Sequence, residues 1–285
     1  MSASSPMQNP APADGERIID SKSSGFSLGL NGLVERRELL WIFLKRAISV
    51  RYRQMLLGIL WSVLEPLALL GLMTLVFGTL LRVETSGYPY AVFAFAGLIP
   101  WLAFSKATMA AANSLVENMG LMSKVHFPRL ILPVTGALRE LFDSIVIFIV
   151  LVIFVAAYGY LPGTRLLLAP LLFLMTGLSA LAIGLWLACI MVPLRDIRPL
   201  LGLVLQAGLY ATPILYPATL VPSWLLPYYQ LNPTYWVVEL FRWMLLGKPV
   251  LIEASFYASI ALVIVTLFAG LAIFGAAEKR IVDVQ

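Results

Sequence analysis

Charged side chains inside long apolar stretches are the residues of this sequence best placed to do chemistry. Arg139 and Asp143 stand four positions apart in one such stretch, with Glu140 beside them. A charge at the centre of a bilayer costs at least about 2.5 kcal/mol, so charges there pair, line a cavity or contact a ligand. Because residues four apart share one helix face, the spacing predicts an internal Arg139–Asp143 ion pair, with substrate contact as the alternative.

Glu65 and Lys106 are isolated charges in two other apolar stretches. Pro66 removes a backbone hydrogen bond and loosens the helix, so we predict that it leaves a polar cavity for the Glu65 carboxylate. Lys106 has no obvious partner nearby in the sequence. Its open roles are to line a polar path, to snorkel to the membrane surface or to bond to another helix.

Several kinds of catalytic chemistry are missing from the sequence. It contains no G-x-x-x-x-G-K-[ST] loop that could bind nucleotide phosphates. Its single histidine, His126, and single cysteine, Cys189, do not form a metal cluster or a nucleophile triad. We therefore expect no catalytic residue, metal or cofactor in this chain, and any use of ATP requires another subunit.

The composition indicates a membrane protein. Hydrophobic residues make up 60% of the 285 residues and charged residues 12%, with a mean hydropathy of +0.90, whereas soluble domains have about 25% charged residues. The net charge of +5 does not come from a basic patch on a soluble face, which argues against nucleic-acid binding. Residues 1–32, rich in Ser, Pro, Ala and Gly, are predicted to be a disordered cytosolic tail.

Apolar segments of about 20 residues predict an all-α membrane protein with six transmembrane helices. The predicted spans are Leu56–Leu81, Tyr90–Leu115, Leu130–Tyr158, Leu166–Val192, Pro199–Tyr216 and Ser255–Ala276. Lysine and arginine concentrate before the first span and after the second, fourth and last, and such flanks stay in the cytoplasm. We therefore predict a transmembrane domain over residues 55–276, a short tail over 277–285, and both termini in the cytoplasm.

The segment between the fifth and sixth predicted spans contains five prolines between Pro213 and Pro233 and cannot form one uninterrupted helix. We predict that Pro217–Gly247 forms short helices or a re-entrant hairpin at the outer leaflet. Its tyrosines and tryptophans suit an interfacial belt, and stacking on sugars is the alternative. Glu239 and Arg242 are three apart and are predicted to pair.

Residues 33–54, before the first span, are predicted to contain an amphipathic helix at the inner membrane interface. The residues on its apolar face are Leu33, Leu40, Trp41, Leu44 and Ile48. The alternative is a cytosolic extension of the first span.

Three strings occur in the following order: "LKRAISVRYRQMLLGILWSVLEPL", "FAGLIPWLAFSKATMAAANSLVENMGLMSKVHFPRLILP" and "VPLRDIRPLLGLVLQAGLYATPILYPATLVPSWLLPYYQLNPTYWVVELFRWMLLGKP". Together they resemble the permease subunit of ABC-2-type polysaccharide exporters, which handle O-antigen, capsule or teichoic acid. The resemblance implies a homodimer of six-span subunits in the bacterial inner membrane, with gate helices between the last two spans. It further implies a separate ATPase dimer that binds ATP and Mg, and export of an undecaprenyl-pyrophosphate-linked glycan such as O-antigen.

The resemblance also implies roles for individual residues. The segment that resembles the family's coupling region to the ATPase contains Glu117, Ser123, Lys124, His126 and Arg129, and a basic loop that only fixes topology is the alternative. The residues at the position where the lipid head group would enter are Arg51, Arg53 and Glu65. The donor forks of the two arginines suit a pyrophosphate. The candidate channel or gate aromatics are Trp101, Tyr210, Tyr216, Trp224, Tyr235 and Trp236.

Two rival functions share parts of this pattern. An ABC-2-type exporter of a drug or a small lipid would have the same topology and the same coupling. A membrane-embedded glycosyltransferase or acyltransferase would need a general base or metal-binding carboxylates near the interface, and the sequence has no such cluster.

Overall fold

A computed structural model describes residues 37–53, 58–125, 127–194 and 196–283, without the side chains of residues 52–53, 58–59 and 278–283. The predicted tail over 1–32, His126 and the side chain of Arg53 lie outside this description. Every regular element within it is helical, which confirms the all-α class. The helices are α1 (Arg37–Arg53), α2 (Gly58–Met73), α3 (Tyr90–Glu117), α4 (Met119–Met122), α5 (Ile131–Ala157), α6 (Ala169–Met191), α7 (Ile197–Ala211), α8 (Leu226–Leu231), α9 (Pro233–Leu246) and α10 (Ala254–Asp283).

Five stretches of helix in the described residues are long and apolar enough to cross a membrane: Leu60–Leu80, Tyr90–Glu117, Ile131–Ala157, Gly163–Met191 and Ala254–Ala277. They correspond to five of the six predicted spans. The sixth, predicted over Pro199–Tyr216, is the 15-residue helix α7. At 1.5 Å per residue α7 is about 22 Å long, shorter than a hydrocarbon core of about 30 Å. It ends at Ala211, where Thr212 is extended and Pro213 follows.

Helix α3 lies at the centre of the fold. In its most apolar 18-residue segment 78% of the residues are buried, because α3 packs against α5, α6 and α9. Small residues allow the close approach: a Cβ atom on Gly136 of α5 would lie 3.0 Å from the Ala110 carbonyl oxygen of α3, and one on Gly184 of α6 would lie 2.6 Å from the Ala111 Cβ. Edge-to-face contacts join Phe148, Phe173 and Phe241 on the other side of the core.

Helices α2, α7 and α10 lie at the periphery of the bundle. In each of the spans Leu60–Leu80 and Ala254–Ala277, only 17% of the most apolar 18 residues are buried. Helix α7 buries only Leu201 and Leu209, and Leu200, Leu203 and Val204 are exposed. Apolar surface of this extent requires lipid or another protein chain as its neighbour.

Helix α1 packs along α5, and the Phe43 ring lies 5.2 Å from the Phe127 ring, centroid to centroid. The face of α1 turned toward the bundle includes Phe43 and Ala47. Trp41 of the predicted apolar face is exposed, which suits a helix whose apolar face lies in the membrane interface, and that location stays a prediction. Arg51 anchors this face to α5, as described below.

The prediction of short helices within Pro217–Gly247 is confirmed by α8, α9 and a 3₁₀ turn over Ala218–Leu220. Asn232 caps α9 by accepting from the Thr234 N–H, and Gly247 ends it in the left-handed conformation. An interfacial belt was wrong for α9, since Tyr235 and Trp236 are buried. The reason is tertiary: α9 packs into the core against α3 and α6, while Trp224 and Tyr228 remain exposed.

Candidate functional site

Arg51, Arg139, Glu140 and Asp143 form a charge cluster where α1 meets α5. Arg51 Nη1 lies 2.9 Å from Glu140 Oε1, and Arg51 Nε lies 2.9 Å from Asp143 Oδ2. Arg139 Nη2 donates to the same Glu140 oxygen at 2.7 Å. Both carboxylates are buried, and their two negative charges balance the two guanidinium groups.

The predicted internal ion pair in α5 therefore has different partners from those predicted. Arg139 bonds to its neighbour Glu140, and Asp143 faces Arg51 of α1. Spacing within one helix could not indicate this arrangement, because the second cation comes from another helix. The consequence is that Arg51 ties α1 to the bundle.

A second ion pair joins α2 to α3. Lys106 Nζ donates to Glu65 Oε2 at 2.8 Å, which decides among the open roles of Lys106 in favour of a bond to another helix. The predicted cavity around Glu65 was wrong, because the side chain of Glu65 is 62% exposed. Pro66 is the residue that faces inward, and successive helix residues point about 100° apart.

A small cavity lies between this pair and the charge cluster, lined by residues that include Arg51, Ser62, Pro66, Lys106 and Asp143. Its volume of about 20 Å³ is enough for one water molecule. A sugar or a phosphate is larger than this volume, so the cavity cannot hold either ligand in this conformation.

Arg242 of α9 is fully buried and holds the chain just beyond α7. Its Nη1 donates to the Pro213 carbonyl at 2.8 Å and its Nη2 to the Ile214 carbonyl at 2.8 Å. The Tyr90 hydroxyl donates to the next carbonyl, that of Leu215, at 3.0 Å. These side chains satisfy carbonyls that the proline-rich break leaves without helical donors.

The predicted Glu239–Arg242 pair is confirmed, with Arg242 Nη1 2.9 Å from Glu239 Oε1. Lys248 Nζ bonds to the other carboxylate oxygen at 2.8 Å. Burial opposes ionisation of Glu239, but the two cations outweigh it and hold its pKa below the usual value. Burial lowers the pKa of Arg242, while Glu239 acts in the opposite direction. The Arg242 guanidinium also lies 3.6 Å from the centroid of the Phe93 ring.

The structure divides the six candidate gate aromatics into two groups. Trp101, Tyr235 and Trp236 are buried, and the Trp236 ring N–H donates to the Gln230 carbonyl at 2.7 Å. Burial, followed by the Glu239 charge, raises the pKa of Tyr235 to about 12. The second group is nearer the surface: Tyr210 and Trp224 are exposed, and the half-buried Tyr216 donates its hydroxyl proton to the Tyr210 carbonyl at 2.9 Å.

Of the predicted coupling residues that the structure describes, Glu117 is the last residue of α3, Ser123 and Lys124 follow α4, and Arg129 lies just before α5. Ser123 and Lys124 are exposed, whereas Arg129 is buried. Glu117, at the end of α3, lies 3.3 Å from Arg198 at the start of α7. Sequence reasoning used Arg198 for topology only and missed this pair, because the two residues are 81 positions apart.

Comparison with known proteins agrees with this architecture. Residues 38–246 match the ABC-2 type transporter family. This match covers well over half of the chain, and the chain belongs to that family.

The chain is also similar to individual curated proteins. It is 30% identical over 189 residues to the O-antigen export system permease protein RfbA of Myxococcus xanthus, covering 66% of this chain and 72% of that protein. It is 26% identical to RfbA of Klebsiella pneumoniae, covering 87% and 95%, and 26% identical to the polysialic acid transport protein KpsM of Escherichia coli, covering 82% and 91%.

Proposed function

We propose that this chain is the transmembrane subunit of an ATP-driven exporter that moves lipid-linked O-antigen polysaccharide across the bacterial inner membrane. The observation that carries the proposal is the similarity to an O-antigen export permease over 87% of this chain and 95% of the relative. The sequence has no phosphate-binding loop, so a separate ATPase dimer supplies ATP binding, Mg and hydrolysis. Both termini lie in the cytoplasm, as the lysine and arginine bias favours.

Two copies of the chain form the transport path. The exposed apolar faces of α2 and α7 supply surface for a partner copy. A path between two symmetric copies can be wider than a path inside one bundle of six helices. The exposed Tyr210 and Trp224 and the half-buried Tyr216 suit contacts with sugar faces along such a path.

The lipid-linked pyrophosphate is recognised beside Arg51 and Arg53. Arg51 is already paired with Glu140 and Asp143, and its side chain is 34% exposed. An arriving pyrophosphate therefore competes with these carboxylates for the guanidinium. Lys106 pairs with Glu65, and its positive charge reduces the repulsion between the Glu65 carboxylate and the pyrophosphate.

Motion of the ATPase enters through Glu117, Ser123, Lys124 and His126. The helix that ends at Glu117 is α3, the most buried of the spans, and the Glu117–Arg198 pair adds a link to α7. A displacement at the coupling region therefore reaches the centre of the bundle and the start of α7. Arg129 supports this region from the interior.

Reconstitution tests the proposal. We expect vesicles that contain the chain and its ATPase to export undecaprenyl-pyrophosphate-linked glycan with ATP, and Arg51→Gln to reduce export without reducing membrane insertion. Arg37→Gln, an exposed change on the same helix, is the matched control. ATP-dependent export that is unchanged in Arg51→Gln would remove the head-group role, and absence of any glycan export would overturn the function.

Export of another glycopolymer is the second candidate, favoured by the similarity to a polysialic acid transport protein. This alternative includes capsule and teichoic acid as substrates. Export of a drug or a small lipid is a third possibility, and none of the similar proteins named above is called an exporter of either. Deletion of the gene distinguishes them: loss of O-antigen supports the first proposal, and loss of capsule with intact O-antigen supports the second. Drug sensitivity with both polymers intact would favour the small-molecule exporter.

A further inference from the structure

A cavity of about 410 Å³ lies between α1, the corner where α3 meets α4, and the first turns of α5. Its volume falls within the range of about 300–1,000 Å³ that is usual for small-molecule sites. It adjoins the charge cluster at Arg139 and the predicted coupling region at Glu117, and it does not include the buried Arg242. The function proposed for this chain assigns no ligand to it.

Each wall of this cavity is one face of a helix. Helix α1 contributes Phe43, Arg46, Ala47 and Val50, which are spaced three and four apart. The α5 wall has the same spacing, from Leu132 to Arg139. The regular spacing means that the gap is built into the packing of whole helices.

Small residues on α1, α3 and α5 leave the space that forms the cavity. Ala47 faces the cavity from α1, and Ala110 and Gly136 form its floor. Gly136 lies so close to α3 that a Cβ atom there would approach the Ala110 carbonyl oxygen to 3.0 Å. Helices α3 and α5 therefore touch each other, and α1 closes the opposite side of the cavity.

The lining combines cations with apolar surface. Arg46 is exposed at the cavity. Arg139 uses Nε and Nη2 to bind Glu140, which leaves its Nη1 side for a ligand as far as the described residues are concerned. The carboxylate of Glu117 also lines the cavity, but Arg198 pairs with it. Phe43 and Leu132 supply apolar walls.

Thr135 gives an independent sign of a missing ligand. Its side chain lines the cavity and is buried, and its Oγ1 has no hydrogen-bond partner among the described residues. Buried hydroxyl groups in folded proteins are nearly always satisfied. A polar group in the cavity would satisfy this one.

We propose that the cavity binds one anionic phospholipid as a resident ligand. The phosphate bonds to Arg46 and Arg139, an ester or glycerol oxygen accepts from the Thr135 hydroxyl, and an acyl chain lies against Phe43 and Leu132. Arginine suits phosphate, and basic pockets between membrane helices bind anionic head groups. Bound there, the lipid fastens α1 to the bundle, a role separate from transport of the glycan.

The test uses the purified, delipidated full-length chain and three probes: dioleoyl phosphatidylglycerol, dioleoyl phosphatidylcholine and inorganic phosphate. Native mass spectrometry measures binding, and thermal unfolding measures stabilisation. Arg46→Gln removes one phosphate contact, Ala47→Leu fills the cavity, and Lys45→Gln removes an exposed charge of the same helix that does not line it.

We expect phosphatidylglycerol to bind the unchanged chain and Lys45→Gln equally well, and Arg46→Gln about tenfold more weakly, as is usual for loss of a charge-assisted hydrogen bond. Ala47→Leu should unfold no earlier than the unchanged chain without lipid, yet lose the stabilisation by lipid. Equal binding of phosphatidylcholine, or equal loss in Arg46→Gln and Lys45→Gln, would overturn the proposal. Equal stabilisation by inorganic phosphate would identify a small-anion site instead and overturn the lipid.

Discussion

At the scale of single residues, the buried Arg242 shows how one side chain can replace a stretch of helix. Prolines end the helix after α7, so the carbonyls of Pro213 and Ile214 have no helical N–H donors. They accept hydrogen bonds from the Arg242 guanidinium. The planar fork of arginine binds two adjacent carbonyls and one carboxylate at once, which the single ammonium of lysine cannot reproduce. Arg242 therefore determines where the α7 end sits relative to α9.

Replacement of Arg242 by methionine should lower the free energy of unfolding by about 3 kcal/mol, because it leaves buried polar groups without a partner. Thermal unfolding in detergent micelles measures the loss. The control is Arg165→Met, which removes an exposed arginine bonded to the Trp243 carbonyl at 3.5 Å and should change stability by less than about 0.5 kcal/mol. Equal losses in the two variants would contradict the role of Arg242.

The Lys106–Glu65 pair makes a second prediction at this scale. Lys106→Glu places two carboxylates side by side, and Glu65→Lys places two ammonium groups side by side, so each change should destabilise the chain. The double exchange restores opposite charges and should recover about 1 kcal/mol relative to the single changes, the upper range for exposed pairs. A double-mutant cycle by thermal unfolding measures this coupling. A double variant no more stable than the single ones would show that the pair contributes nothing.

At the scale of helices, the fold depends on close packing against α3. Gly184 of α6 faces Ala111, and an added Cβ atom would come within 2.6 Å of the Ala111 Cβ. Gly71 of α2 has nothing within 4 Å of the same position. The two glycines are therefore a matched pair, both helical and differing in what surrounds them.

Gly184→Val should cost about 1–3 kcal/mol, since overpacking forces α6 away from α3. Gly71→Val carries the same β-branched side chain in a helix and should change stability by less than about 0.5 kcal/mol. Thermal unfolding of both variants in the same detergent measures the difference. If the two variants lost stability equally, helix propensity and not packing would explain the effect.

At the scale of the whole molecule, the bundle leaves much apolar surface uncovered. Leu203 on α7 and Val265 on α10 are each 64% exposed, yet the proposed function gives them different neighbours. In the proposed dimer, α7 faces a second copy of the chain and α10 faces lipid. This difference can be measured.

Leu203→Trp should disturb association of the two copies, while Val265→Trp should leave it unchanged. Light scattering of the purified chain should give twice the subunit mass of 31.4 kDa, and a smaller mass at the same concentration for Leu203→Trp. A change in Val265→Trp alone would place the second copy on α10, and a single-subunit mass for the unchanged chain would contradict the dimer.

The sequence by itself determined the solvent, the class of fold and most of the helices. Long apolar segments have few structures open to them in lipid, because every backbone polar group must be satisfied within the segment. The same rule located the break after α7, since prolines cannot continue a helix. The Glu239–Arg242 pair was also predictable, because its two members share one short helix.

The tertiary structure alone decided which charges meet. Arg51 faces Asp143, Lys106 faces Glu65, and Glu117 faces Arg198, and in each pair the partners belong to different helices. It also decided that α9 is buried and that Trp41 is exposed. The physical reason is that helix periodicity fixes the angles between side chains of one helix, whereas the rotation of that helix toward its neighbours depends on the packing of the whole bundle.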